Sequence, residues 1–360
     1  MTGDALPSVL RRQGAICAAL GSPMYGDLLE RIAADVESGG VFAAVLAGRE
    51  NDPIGAAVPL RLLGAMHRIV LDGDAPRLAR WYPSVGGEWG SPDSAAWTDA
   101  AWTDTAWADA IALARDHRNR LGTALDSAPQ TNEVGRSAAL IGALLILVHR
   151  FPYPVRLFEI GASAGLNLRA DHFRYRYQGG QWGPQRSPVT IDDAWQGVRP
   201  PDVALRIVER HGFDIAPIDA TSAEGTLTLL SYVWPDMSVR LQRLRGAIEV
   251  ARNVPAGLDR MSAGDAVAGL RVVHGTLTVL WHSITWQYLS EEQRSAVAAG
   301  AAALARTADE ASPFVWLTLE PMRRSPGARN EFVVRARCWP QETDQILGVC
   351  SPHGPPVVWQ

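Results

Sequence analysis

The sequence contains no lysine; all 34 basic residues are arginine. That absence excludes pyridoxal-phosphate chemistry through a Schiff-base lysine and triphosphate binding through a P-loop lysine. Cysteine is scarce as well. Cys17, Cys338 and Cys350 stand far apart and make no Cys-x-x-Cys pair, so neither a disulfide framework nor a zinc site is expected. The longest apolar run, residues 138–148, is too short to span a bilayer, and no basic segment leads into an apolar stretch at the start. A reduced, cytoplasmic protein is the expectation. Positive charge is not concentrated anywhere, and the formal net charge is -4, so neither nucleic acid nor a membrane is an expected partner. A small-molecule substrate is.

What the chain does have is length and apolar content. Its 360 residues, 47% hydrophobic and 20% charged, suffice for two globular domains or one elaborated domain. Residues 1–150 read as helices joined by turns. Ser22-Pro23 is an N-cap followed by proline at the first helical position, and Gly39-Gly40 ends the helix it opens. A further helical pair is expected at 58–71 and 75–81. Three Ala-Trp-x-Asp copies, at 96–99, 101–104 and 106–109, repeat with period five. That spacing turns each tryptophan by about 140° on a helix, so the three cannot share a face, and a surface segment leading into a helix at 108–125 is expected. The apolar stretch 137–148 predicts a buried helix capped by Thr131 or Asn132, with Glu133 in its first turn. Its polar end, Asn132, Glu133 and Arg136, is a candidate substrate-binding segment. Ordinary capping is the alternative.

The pattern changes after Pro152 and Pro154. Val155-Arg156-Leu157-Phe158-Glu159-Ile160 has strand length, Gly161-Ala162-Ser163-Ala164-Gly165 is a tight loop, and 166–173 has helical spacing. Glycines let a ligand approach the backbone, and amides at a helix start can face a polar group. The stretch 173–177 alternates and is turned back by Gly179-Gly180, predicting an inserted hairpin, with the insertion running to about 205. Strands are then expected to end at Asp214, before Gly264-Asp265, at Trp281-His282-Ser283 and at Glu320. Antiparallel strands are expected at 331–339 and 346–350.

Three uses of the glycine loop remain open. Glu159-x-Gly161-x-x-x-Gly165 resembles the first motif of class I S-adenosylmethionine (SAM) dependent methyltransferases. Gly161-x-Ser163-x-Gly165 is similar to the nucleophile elbow of α/β-hydrolases, with Asp265 and then His282 or His353 in the matching chain order. A turn that only holds helix against strand is the third. A dinucleotide fingerprint is excluded, because Ser163 replaces its second glycine. The methyltransferase resemblance covers about 155–290. It implies a mostly parallel Rossmann-like α/β domain over 151–360, with the helical residues 1–150 as an N-terminal cap. It further implies SAM held by Glu159, Gly161, Ser163, Gly165 and Asn167, its ribose at Asp214 and its adenine at Asp265. Asp214 lies 53 residues beyond Gly161, where about 20 is usual for a nucleotide fold, an excess the hairpin insertion accounts for. The reacting side falls on the fourth strand's end, with Trp281, Ser283 and Trp286 as substrate-binding residues and His282 as base. Tyr288 and Glu320 are the substitutes for it. A hydrolase instead needs several strands before its elbow and an upstream oxyanion loop such as His-Gly-Gly-Gly, which is missing. A non-catalytic ligand-binding protein on the same fold is the further alternative. Nearly the whole chain also resembles an uncharacterised family of bacterial proteins of unknown function, through residues 131–136, Glu159 to Leu168, 212–219 and the His282 cluster.

Overall fold

The computed structural model describes residues 5–53, 56–90, 99–127, 129–325, 327 and 330–360. Ala96, Trp97 and Thr98 of the period-five repeat lie outside the described residues. The chain divides into two compact units, Met1–Thr131 with Ala223–Leu241, and Asn132–Ser222 with Gln242–Gln360.

The first pass through the helical unit gives α1 (Leu6–Ala19), α2 (Pro23–Glu37), α3 (Val41–Val45), α4 (Val58–Leu71), α5 (Pro76–Ala79), α6 (Asp99–Asp116) and α7 (Arg118–Ala124). Ser22 Oγ accepts from the Tyr25 amide at 3.3 Å, which caps α2 as its sequence predicts. His67 is fully buried and satisfied, with Nδ1 at 3.1 Å from Ser231 O and Nε2 at 2.8 Å from Ser84 Oγ. No described residue before Val155 is in a strand.

The second unit opens with the buried helix α8 (Ser137–Arg150) and the strand β1 (Val155–Ile160). A small three-stranded sheet follows, made from β2 (Arg174–Tyr177), β3 (Gly180–Trp182) and β4 (Thr190–Ile191), and it contains the expected hairpin. Next are β5 (Trp195–Gly197) and β6 (Ile207–Asp214). The chain returns to the first unit for α9 (Ala223–Ser231), and α10 (Ser238–Asn253) carries it back. Then come β7 (Gly257–Arg260), α11 (Ala263–Gly269), β8 (Leu277–Ser283), α12 (Glu291–Thr307), β9 (Phe314–Met322), β10 (Glu331–Trp339), β11 (Thr343–Ser351) and β12 (Gly354–Trp359).

The result is a mixed α/β protein with a large, mostly parallel central sheet. Nine strands run in the order β5-β12-β11-β10-β9-β8-β1-β6-β7. Neighbours from β9 to β7 are parallel, β9 through β12 pair antiparallel, and β5 adds parallel to β12. Successive strand side chains face opposite sides. Phe158, Ile160, Leu280 and Trp316 share one face, buried with Ala263 and Val267 of α11 and Val297 and Leu304 of α12. Glu159, paired across from Trp281, therefore points to the other face.

Several expectations need correction. The boundary at 150 is displaced, because α8 belongs with the sheet and residues 223–241 belong with the helical unit. The segment after the glycine loop is not an α-helix but a 3-10 helix, Leu166–His172, interrupted at Arg169, whose side chain bonds back to Gly165 O at 2.7 Å. Neither Thr131 nor Asn132 caps α8, because Glu133 caps a 3-10 turn, Val134–Arg136, that precedes it. The central-sheet strands β5 and β12 were not expected at all.

Candidate functional site

The loop after β1 turns three times through the left-handed region, at Gly161 (φ 67), Ser163 (φ 53) and Gly165 (φ 61). Glycine takes such angles freely, whereas a serine there is strained by about 1–3 kcal/mol and needs its surroundings to hold it. Asp214 does so. Its Oδ2 accepts from Ser163 N at 2.8 Å and its Oδ1 from Ala216 N at 2.9 Å, while Ile218 N donates to Ser163 O at 3.1 Å. The strand-end acid thus clamps the loop, and each oxygen keeps room for a second donor. On the other side of the loop, a Cβ on Gly161 would strike the Thr285 side chain.

The segment before α8 lies against the same loop. Asn132 Oδ1 accepts from Leu166 N at 2.8 Å, and Asn167 Nδ2 donates to Glu133 O at 3.2 Å. Arg136 donates to Ser283 O at 3.1 Å and to Pro352 O at 3.0 Å, which ties the end of β8 to the β11–β12 turn. Glu133 Oε2 stands 3.3 Å from His353 Nδ1. Glu159 is only 2% exposed, and its Oε2 has no hydrogen-bond partner among the described residues. Burial pushes its carboxyl up to about 8; Trp281 and Arg136 oppose this, Asp214 reinforces it, and Arg169 opposes it. A buried acid that keeps its proton near neutral pH, beside a strained glycine loop exposed at Gly161, is a functional-site signature.

His282 faces the other way. It is 1% exposed, on the side of Leu280, stacked against Trp286 with ring centroids 5.4 Å apart. Its Nδ1 lies 2.7 Å from Glu320 Oε1, which also accepts from Thr285 N at 2.9 Å and Trp286 N at 3.2 Å.

The structure therefore brings together Asn132, Glu133, Arg136, Glu159, Ser163, Gly165, Asn167, Asp214 and Ser283 around one loop. It gathers His282, Trp286 and Glu320 into a second cluster, with Thr285 between the two. Trp281 and His282 do not act as one group, since they alternate across the sheet. Tyr288 is 65% exposed and joins neither cluster. Asp265 does not stand at a strand end: it sits in the first turn of α11, where Ser262 Oγ accepts from its amide at 3.2 Å and bonds its carboxylate at 2.7 Å. Sequence reasoning missed Thr285, and it missed Ile215 and Met261, which are 74% and 37% exposed beside Asp214. Large apolar side chains left in the open next to a strand-end acid offer a flat ligand a surface, and an apolar residue following Asp214 was the available signal. Among the described residues no cluster of His, Cys, Asp and Glu could hold a metal, and no helix is long and apolar enough to cross a membrane.

The loop occupies the carboxyl end of β1, beside β8 on one flank and β6 on the other. In open α/β sheets ligands bind at such ends, where the chain reverses its direction of strand addition. The chain belongs to the family described as "Uncharacterized protein conserved in bacteria (DUF2332)", which matches residues 8–359. No curated protein and no solved structure matches it.

Proposed function

We propose that this protein is a cytoplasmic SAM-dependent methyltransferase acting on a small molecule. The observation that carries the reading is the strand order. Numbered by their appearance, the five parallel strands β7-β6-β1-β8-β9 run third, second, first, fourth, fifth, as in a Rossmann-like sheet, and the glycine loop sits at the switch point between first and fourth. The departure is at the edge, where the antiparallel β10, β11 and β12 extend the sheet.

The residues present fit most of such a ligand. Glu159, whose Oε2 has no hydrogen-bond partner among the described residues, and the exposed Gly161 suit the polar methionine part, the spare lone pairs of Asp214 suit two adjacent ribose hydroxyls, and Ile215 and Met261 suit a flat ring. Asp265, engaged in its capping box, is withdrawn as the adenine contact. Bound there, SAM would supply a methyl group already activated on a sulfonium, so the chain's own work is mostly positioning. Asp214 holds the loop, Arg136 ties its neighbours together, and His282 is placed to take a proton, a contribution of about 10²-fold.

One observation favours a second reading. Ser163, in Gly-x-Ser-x-Gly, has the strained backbone that a nucleophile elbow uses. Against it, no described residue before β1 is in a strand, whereas a hydrolase elbow follows several strands of its sheet. Incubating the protein with methyl-tritiated SAM and the low-molecular-mass fraction of a bacterial extract separates the readings. Label should enter a small-molecule product and cease to do so in Asp214→Ala. No transfer, together with nitrophenyl-ester hydrolysis that Ser163→Ala abolishes, would replace the methyltransferase by an esterase.

A further inference from the structure

His282 and Glu320 share a sheet face because β8 and β9 pair in parallel with Leu280 opposite Trp316 and His282 opposite Thr318. Glu320 Oε1 is surrounded by three donors, His282 Nδ1 and the amides of Thr285 and Trp286. The two backbone amides can only donate. An oxygen so surrounded has no place for a proton of its own, so Nδ1–H donates to it. In the neutral imidazole the lone pair is then left on Nε2. That nitrogen is buried and has no partner among the described residues. Trp286 stacks on the ring and Trp316 tilts against it at 6.1 Å, so the imidazole cannot turn to find one. A buried acceptor held in this way calls for a donor from outside the chain.

We propose that His282 and Glu320 form a proton-accepting dyad whose Nε2 takes the proton of a hydroxyl or amine on the substrate. Glu320 is a positioning residue in it, not a second base. The transfer moves the proton from oxygen or nitrogen to Nε2 and leaves the electron pair on the nucleophile. The imidazolium that results faces the Glu320 carboxylate. The same carboxylate holds the amide of Thr285, the residue a Cβ on Gly161 would strike, so the dyad is fixed against the glycine loop. A carbon nucleophile without an O–H or N–H offers Nε2 no hydrogen bond, which narrows the substrate to alcohols, phenols and amines. The reaction served rests on the methyltransferase reading; the dyad itself does not.

The test is the tautomer of His282 in the full-length protein labelled with ¹⁵N-histidine, assigned with His282→Gln and read by two-bond ¹H–¹⁵N correlation where the ring is neutral. A pyrrole-type Nδ1 and a pyridine-type Nε2 are expected in the parent. Glu320→Gln should keep that pattern, because its amide oxygen can still accept from Nδ1. Glu320→Ala should lose it. A proton on Nε2 in the parent, or the parent pattern surviving in Glu320→Ala, would overturn the dyad. Should Glu320→Ala fail to fold, the parent and Glu320→Gln spectra still decide. Absence of SAM binding with the tautomer intact would remove methyl transfer and leave the dyad, whereas SAM binding with the tautomer reversed would do the opposite.

Discussion

Glu159 keeps its proton to about pH 8 in the folded chain, against an ordinary value of 4.5. Between those limits the unfolded chain has given up a proton that the fold still holds. Stability must then fall as pH rises through that window, by up to about 1.4 kcal/mol per pH unit from this one group. Thermal melts of the parent and Glu159→Gln between pH 6 and pH 8 should show the parent losing ground to the variant. Parallel curves would mean that Glu159 is not protonated in the fold. The residue types at this site were legible, because Glu159, Ser163 and Asp214 stand where an apolar run breaks into small or turn-forming residues. Their partners were not. The bond from Asn132 to Leu166 N joins positions that no periodicity relates, and the 3-10 turn between Asn132 and α8 hides its reach. Two placements are written in the sequence itself. Strand alternation already separates Trp281 from His282, and Ser262-x-x-Asp265 is a capping-box signature.

At the scale of elements, the difference between a cap and a clamp is measurable. Ser262 caps α11 on the protein surface, and its loss costs about 1 kcal/mol, typical of an N-cap. Asp214 ends β6 and holds two backbone amides in charge-assisted bonds, worth roughly 1.5–3 kcal/mol each where they are shielded from water. Ser262→Ala should lower stability slightly and leave SAM affinity alone. Asp214→Ala should free the strained Ser163 turn and abolish binding. Calorimetry on the two variants checks this, and equal affinities would detach Asp214 from the site. Elements carried by continuous apolar runs were readable, α8 and β8 among them. β12 was not, since Pro355 and Pro356 argue against a strand inside a sheet. Three-residue β5 carries too little pattern to be seen.

For the whole molecule, the parallel sheet grows from β1 outward, with β6 and β7 added on one side and β8 and β9 on the other. The alternation of strand and helix after Pro154 made that half legible as α/β. The return of residues 223–241 to the helical unit was not legible, because an amphipathic helix pattern shows that a face is buried but not against what. The central claim is that the switch-point loop binds SAM. Titration calorimetry of the full-length protein with SAM and with S-adenosylhomocysteine tests it most directly. A saturable one-site heat with both ligands is expected, lost in Gly161→Trp, whose side chain would strike Thr285 and distort the loop. No heat from either ligand with the parent protein would contradict the claim.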